Sequence, residues 1–325
     1  MINKKFLITG GSGFIGTNLI DYLLLQNMEI LNIDIKSPKK KAHLEYWVNL
    51  DINNKNLLST EVKKFNPDFI FHLAARTDLN GKSLEDYKTN YKGVENIITS
   101  AKGLNNLNVI VFASSRLVCK IGYVPSGDND YIPTTYYGES KVLAEKIIKK
   151  SSTSMKYNWI IVRPTSIWGP WFSTPYYDFF LTIYKGRYFH PSRQKILKSF
   201  GFVGNTVFQL FKISENSKIL NRKVIYLCDN EPIILNEMAN QIGKVFKKNK
   251  IYTIPFFVLK IAAYVGDFIK ILGYKNPPLT TFRLRNISQN MIYDNRPLKN
   301  IYPKLPYTLN DGINLTCKWM KFIKK

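Results

Sequence analysis

Residues 5–16 read KFLITGGSGFIG, and the rest of the chain can be read outward from them. Phe6, Leu7 and Ile8 form an apolar run that reads as a buried strand. Gly10, Gly13 and Gly16 make the turn behind it. Phe14, Ile15, Leu19, Ile20, Leu23 and Leu24 then recur at helical spacing. Strand, glycine turn and helix in that order is the setting in which a glycine motif binds a dinucleotide. The turn brings backbone N–H groups and the positive end of a helix up to a pyrophosphate. A Cβ at Gly10 or Gly13 would crowd that approach.

Beyond the first helix, residues 29–34 (EILNID) predict a second buried strand ending in Asp34, 18 residues past Gly16. A carboxylate there accepts hydrogen bonds from the adenosine ribose hydroxyls and repels a 2′-phosphate, which favours NAD over NADP. Lys36 is a cation close enough to tolerate a phosphate, and Asp34 also has a plain reading as a polar strand end. Further strands are expected at 47–52, ending in Asp51-Ile52, at 67–75, running into Leu73, Ala74 and Ala75, at 108–113 and at 159–164. Helices are expected at 57–65, 84–104 (carrying Asn90) and 136–150. Strands alternating with helices predict an α/β fold with a doubly wound parallel sheet of Rossmann type. Residues 168–200 are rich in aromatics, Pro and Gly and read as an excursion. Segments 199–205 and 223–228 read as returning strands, and 255–325 as mostly helical with proline-punctuated loops. The expected division is a dinucleotide-binding domain over 1–167, rejoined by strands at about 199–229. A smaller, mostly helical substrate-binding region is expected over 168–198 and 230–325.

With 325 residues and 45% hydrophobic content the chain can bury a real core. Cys119, Cys228 and Cys317 lie far apart without a CxxC pair, which argues against a zinc site or disulfide framework and fits a reducing compartment. No metal site is expected. The N-terminus is already the first strand, so no signal peptide is expected, and the expected location is the cytoplasm. The formal net charge is +24. It reads as scattered solvated lysine, as attraction to anionic substrates, or as contact with an anionic membrane face. Nucleic-acid binding is not expected, because no nucleic-acid module signature accompanies the charge. The apolar segment 254–274 is interrupted by Lys260, Asp267 and Lys270. It therefore reads as a helix packed inside the second region, or as an interfacial helix, rather than as a span.

Tyr137 and Lys141 stand four apart, on one face of a helix. An ammonium beside a phenol favours the phenolate and draws its pKa from about 10 toward neutrality. Such a tyrosine can take a proton from a sugar hydroxyl, or give one to a ketone, while hydride moves to or from nicotinamide. The preceding strand ends in Ser114-Ser115. Ser115 is the better placed to donate to an oxygen that gains negative charge, and either serine alone has a plain reading as a strand-end cap.

These motifs resemble the extended short-chain dehydrogenase/reductase superfamily, in its NAD-dependent epimerase/dehydratase branch. The matching elements are GGSGFIG (10–16), Asp34, Asp51-Ile52, HLAA (72–75), Asn90 with Gly93, SSRLV (114–118), YGESK (137–141) and RPTSIWGP (163–170). A closing segment at 306–313 with Trp319 extends the likeness toward the C-terminus. The resemblance implies a nucleotide-diphosphate sugar as substrate, a homodimer, and a role in surface polysaccharide synthesis. It assigns catalysis to Ser115, Tyr137 and Lys141. Cofactor contacts fall to Gly10, Gly13, Phe14, Ile15, Gly16, Asp34, Ile35, Lys36, Asp51, Ile52, Leu73, Ala74, Ala75, Asn90, Ala113, Tyr137, Lys141 and Pro164.

Three places depart from the family pattern. Arg116 follows Ser114-Ser115 where dehydratases carry Thr-Asp-Glu, so the extra acid and base of 4,6-dehydration are missing. Cys119-Lys120 and residues 202–205 (FVGN) replace family residues on the substrate side. The activity expected is epimerisation, most directly at C4. A net reductase or dehydrogenase, and an epimerase of a polyprenyl-diphosphate sugar (peripheral at the inner membrane face), are the alternatives. A non-catalytic NAD-binding protein is a further reading, and the intact Ser115, Tyr137 and Lys141 speak against it.

Overall fold

The computed structural model describes residues 3–173, 175–191, 195–248, 250–274 and 277–323. The first half builds β1 (Lys5–Thr9), α1 (Phe14–Leu25), β2 (Glu29–Asp34), β3 (Trp47–Asn49), α2 (Lys55–Phe65), β4 (Phe69–His72), α3 (Lys88–Ser100), β5 (Val109–Ala113), α4 (Tyr136–Ser151) and β6 (Asn158–Pro164). The second half adds β7 (Ser166–Trp168), α5 (Tyr176–Tyr184), β8 (Leu197–Lys198), β9 (Phe200–Phe202), α6 (Val203–Glu215), β10 (Val224–Leu227), β11 (Ile233–Ile234), α7 (Leu235–Val245), α8 (Phe256–Ile271), α9 (Thr281–Ser288), α10 (Arg296–Lys299) and α11 (Leu309–Phe322).

Seven parallel strands form one sheet in the order β10-β6-β5-β4-β1-β2-β3. The order reverses between β1 and β4, and in such a sheet ligands bind in the crevice at that switch point. β1 supplies both faces, because its side chains alternate. Phe6 and Ile8 pack with α1 and α6, while Leu7 packs with α2 and α3. Short pairs, β7 parallel with β9 and β8 antiparallel with β11, link segments of the second half to one another.

Boundaries differ from the sequence reading in places with physical causes. The strand expected at 47–52 ends at Asn49. Asp51 instead turns the chain, its Oδ1 accepting from the Asn53 backbone N–H at 2.9 Å. The helix expected at 84–104 is a short 3-10 turn, Glu85–Tyr87, followed by α3. The strand expected at 199–205 stops at Phe202. There Asp229 Oδ2 accepts from the Phe202 backbone N–H at 3.1 Å, and α6 begins.

Several aromatics of the excursion, Trp168, Phe172 and Phe180 among them, are buried in the core. Phe180 stacks on Trp168 and meets Phe172 edge-on, and Phe172 reaches both Phe14 on α1 and Trp319 on α11. Asn18 on α1 donates to the Pro170 carbonyl at 3.0 Å. The excursion thereby fastens the C-terminal helix to the glycine turn.

The segment expected at 254–274 forms α8, and it is not the interior helix of the plainer reading. Only Ala263 and Gly266 are buried. At Gly266 the loop approaches so closely that a Cβ would lie 1.7 Å from the Leu279 carbonyl oxygen. Asp267 accepts from the Thr281 backbone N–H and hydroxyl. The rest of α8 is turned outward: Phe257 is 66% exposed, Phe268 60% and Ile271 82%. Among the described residues no helix is long and apolar enough to cross a membrane.

Candidate active site

The turn after β1 has the shape a pyrophosphate requires. Gly10 sits at φ +79°, and a Cβ there would lie 2.6 Å from the Ala74 backbone nitrogen. Only glycine tolerates both conditions. Gly13 is the N-cap of α1, with no side-chain cap and no acidic residue in the first turn. The first-turn N–H groups and helix dipole are thus left to an anionic ligand. Asp34, at the end of β2, is held over the same turn: its Oδ2 accepts from the Ser12 N–H at 3.1 Å and its Oδ1 from the Lys36 N–H at 2.9 Å. Leu73, Ala74 and Ala75 follow β4 beside Gly10, and Ile35 is exposed at the end of β2. These features fit a dinucleotide.

Other residues expected to touch the cofactor are already engaged with the protein. Asn90 is buried, its Oδ1 accepting from the Arg76 N–H at 2.8 Å and its Nδ2 donating to the Arg76 carbonyl and to Ser140 Oγ. It therefore positions the loop after β4 against α4. Ile52 packs in the core on Gly93, and Asp51 is exposed. Pro164 ends β6, paired with Leu227.

Tyr137, Lys141 and Ser115 come together at the ends of β5 and α4. The α4 start is fixed by Thr135, whose hydroxyl oxygen accepts from the Gly138 N–H at 3.0 Å. Tyr137 is buried and hydrogen-bonded to Ser115. Ser115 Oγ also accepts from the Leu117 N–H at 3.1 Å. Lys141 Nζ donates to the Ala113 carbonyl at 2.8 Å, and burial lowers its pKa to about 8. The expected drawing-down of Tyr137 by Lys141 is not met. Burial pushes the phenol upward, and the influences that oppose it are the Ser115 hydrogen bond and the Arg116 charge.

Ser114 is engaged by a partner of its own. Its Oγ donates to Glu145 Oε1 at 2.5 Å, and Glu145 also takes Arg163 Nε at 2.9 Å, Arg163 Nη2 at 2.8 Å and the Tyr131 hydroxyl at 3.0 Å. Arg163 lies between the Tyr131 and Tyr226 rings, 5.5 Å from each centroid. The sequence reading did not single out Glu145. It does fall four residues after Lys141 and eight after Tyr137 on α4, and that spacing places it on the same helix face.

His72 is buried, with Nδ1 2.8 Å from Thr9 Oγ1. Burial and then the nearby Lys141 charge lower its pKa to about 3. An unfolded histidine titrates near 6.5, so the native state binds fewer protons between the two values. The stability this neutral histidine confers is full above pH about 6.5 and falls as pH drops toward about 3. Urea midpoints measured between pH 7 and 4 should fall in wild type and fall less steeply in His72→Gln. Parallel curves for the two proteins would contradict this.

A doubly wound sheet, a glycine turn at its switch point and a buried Ser–Tyr–Lys group together define a nicotinamide-dependent enzyme of the extended short-chain dehydrogenase type. Residues 6–183 match the NAD dependent epimerase/dehydratase family, and the chain belongs to it. Its cofactor is NAD. The chain is 22% identical over 324 residues, 98% of its length and 96% of the relative's, to N-acetyl-alpha-D-glucosaminyl-diphospho-ditrans,octacis-undecaprenol 4-epimerase of Escherichia coli O157:H7. Its fold is similar to that of UDP-glucose 4-epimerase from Thermotoga maritima (TM-score 0.75, 16% identity, 99% of this chain and 100% of that one). It is likewise similar to UDP-glucuronic acid 4-epimerase from Bacillus cereus, solved with UDP-glucuronic acid and NAD (TM-score 0.73, 18% identity, 98% and 99%).

Proposed function

We propose that the protein is a C4 epimerase of a diphosphate-activated sugar, with the N-terminal sheet holding NAD and the later helices holding the sugar. The observation that carries this is the buried Ser115–Tyr137–Lys141 group beside the glycine turn, with Arg116 in place of a further acid or base. In this reading Asp34 takes the adenosine ribose hydroxyls, and the first turn of α1 takes the pyrophosphate. Bound NAD supplies hydride acceptance from C4 and hydride return, which inverts the centre when the ketosugar presents its other face. Tyr137 removes the proton from the C4 hydroxyl and later restores it. Ser115 donates to the same oxygen as charge develops on it. In this reading Lys141 supports the phenolate as it forms and donates to the nicotinamide ribose. Mass spectrometry of the as-purified protein tests the reading against a net reductase. An epimerase regenerates its cofactor each cycle and should carry NAD, whereas release of all nicotinamide on purification would favour a reductase.

The carrier can be a nucleotide or a polyprenyl chain, and α8 favours the second. Sixteen residues at about 1.5 Å each are too short to span a bilayer. An outward row of Phe257, Ile261, Tyr264, Phe268 and Ile271 with Lys260 and Lys270 suits the interface of an anionic membrane. A cavity of about 230 Å³ touches α8 at Leu259 and is lined by Leu279, Arg283 and Lys198 among others, and in this reading it receives the lipid-borne diphosphate. In a flotation assay with phosphatidylglycerol-containing vesicles, wild type should bind and Phe257→Glu/Phe268→Glu should lose most binding while keeping NAD. Equal flotation of both proteins would remove the membrane reading and leave the nucleotide-sugar one.

A further inference from the structure

Tyr87 closes the short 3-10 turn ahead of α3 and is 1% exposed. Its hydroxyl donates to the Asp78 carbonyl at 2.8 Å and accepts from the Gly81 N–H at 3.0 Å. Both partners are backbone groups of the loop after β4, whose residues 77–80 are exposed. The loop comes so close that a Cβ at Gly81 would lie 2.3 Å from Tyr87 Cε2. Arg76 covers the ring, its guanidinium carbon 5.0 Å from the centroid. Arg76 is itself held by the Asp78 carboxylate, at 2.8 Å and 3.2 Å, and by the Asp86 carbonyl at 3.0 Å.

The same Tyr87 ring meets Tyr137, with centroids 6.1 Å apart and planes at 61°. A second connection runs through the main chain. Asn90, which holds the N–H and the carbonyl of Arg76, also donates to Ser140 Oγ at 2.9 Å. Ser140 Oγ donates in turn to the Tyr137 carbonyl at 2.7 Å. Tyr137 is thus tied to the loop twice, by its ring through Tyr87 and by its backbone through Ser140 and Asn90. The loop leaves the carboxyl end of β4, one of the two strands at the switch point, so it borders the crevice where ligands of such a sheet bind. A ring that only filled space there would need no hydroxyl. A buried hydroxyl is costly unless it is bonded, and both bonds of this one go to the loop.

We propose that Tyr87 is a positioning residue of the reaction: its ring sets the orientation of Tyr137, and its hydroxyl fixes the 78–81 loop at the edge of the substrate crevice. One side chain thereby couples the order of the loop to the aim of the phenol. This rests on the sugar-epimerase reading for the reaction, whereas the order of the loop is measurable without substrate.

The test compares NAD-loaded wild type, Tyr87→Phe and Tyr87→Leu by amide hydrogen exchange over residues 77–82, and by steady-state kinetics on UDP-hexoses and a polyprenyl-diphosphate hexose. Tyr87→Phe keeps the ring and loses both loop bonds. Its loop amides should exchange about threefold faster or more, as the loss of neutral hydrogen bonds implies. Its KM should rise about two- to tenfold, with a smaller change in kcat. Tyr87→Leu also loses the ring, and its kcat should fall about 10–10²-fold, the effect of a misplaced reacting group. A residue that served stability alone would lower the melting temperature of both variants and leave kcat and KM of the NAD-loaded fraction at wild-type values, and that result overturns the proposal. So does unchanged loop exchange in Tyr87→Phe. If Tyr87→Leu does not fold, the exchange and KM of Tyr87→Phe decide. Wild type that turns over none of these sugars sinks the epimerase reading instead, and loop exchange then decides the proposal alone.

Discussion

Tyr137→Phe should lower kcat by about 10²–10⁴-fold, the range a positioned acid–base group contributes, while leaving NAD content and melting temperature near wild type. The side chain is buried beside Tyr87, with ring centroids 6.1 Å apart, and phenylalanine preserves that packing. What is lost is the one hydroxyl hydrogen-bonded to Ser115. Because burial holds the phenol above its ordinary value, the protein without substrate keeps Tyr137 protonated at neutral pH. Tyr137 must lose that proton to solvent before it can accept one from the substrate hydroxyl, so kcat/KM should rise with pH in wild type. Assays over UDP-, GDP- and dTDP-hexoses and a polyprenyl-diphosphate hexose would decide. Turnover by Tyr137→Phe within about threefold of wild type, far inside the expected loss, would remove the tyrosine from the chemistry.

Glu145→Gln should cost about 3–5 kcal/mol of unfolding free energy, because it strands Arg163 in a site where both side chains are 1% exposed. Burial alone would push Arg163 down. The hydrogen bond and charge of Glu145 reverse that and hold the guanidinium firmly protonated, so the arginine cannot escape by neutralising. The glutamine keeps one oxygen, so one of the Ser114 and Tyr131 hydroxyls also loses its acceptor in the same change. Replacing both members, Glu145→Leu with Arg163→Met, should recover much of the loss, since apolar groups of similar volume can substitute for a complete buried pair. Urea unfolding of the three proteins measures this. A Glu145→Gln cost below about 1 kcal/mol, the size of a surface pair, would show that the network contributes little. The network also has a functional side. Glu145 fixes Ser114, next to Ala113, whose carbonyl holds Lys141.

The alternating apolar strands, the glycine turn and the Tyr137–Lys141 spacing were legible because each depends on local backbone geometry. A strand alternates every two residues, a helix repeats near every four, and a turn that meets Ala74 at φ +79° admits only glycine. These local rules specified a doubly wound sheet, a dinucleotide turn and a tyrosine-lysine face. The strand-end position favours Ser115 over Ser114, and the fold adds that Glu145 holds Ser114.

Other features depended on contacts between residues far apart in sequence. Asn90 meets Ser140 across 50 positions and Arg116 meets Asn286 across 170, and no spacing rule encodes such pairs. The Tyr137 pKa went the opposite way from the expectation because desolvation depends on burial from all sides, whereas the i, i+4 spacing reports one neighbour. The outward face of α8 was decided the same way. Its sequence is apolar enough for an interior, but only the Ala263–Gly266 strip found a surface to pack on. Sequence by itself determined the sheet, the glycine turn and the tyrosine–lysine face of α4, which short-range sterics and periodicity dictate. Tertiary structure alone decided which charges are paired and which apolar face is left exposed, because burial is a property of the assembled fold.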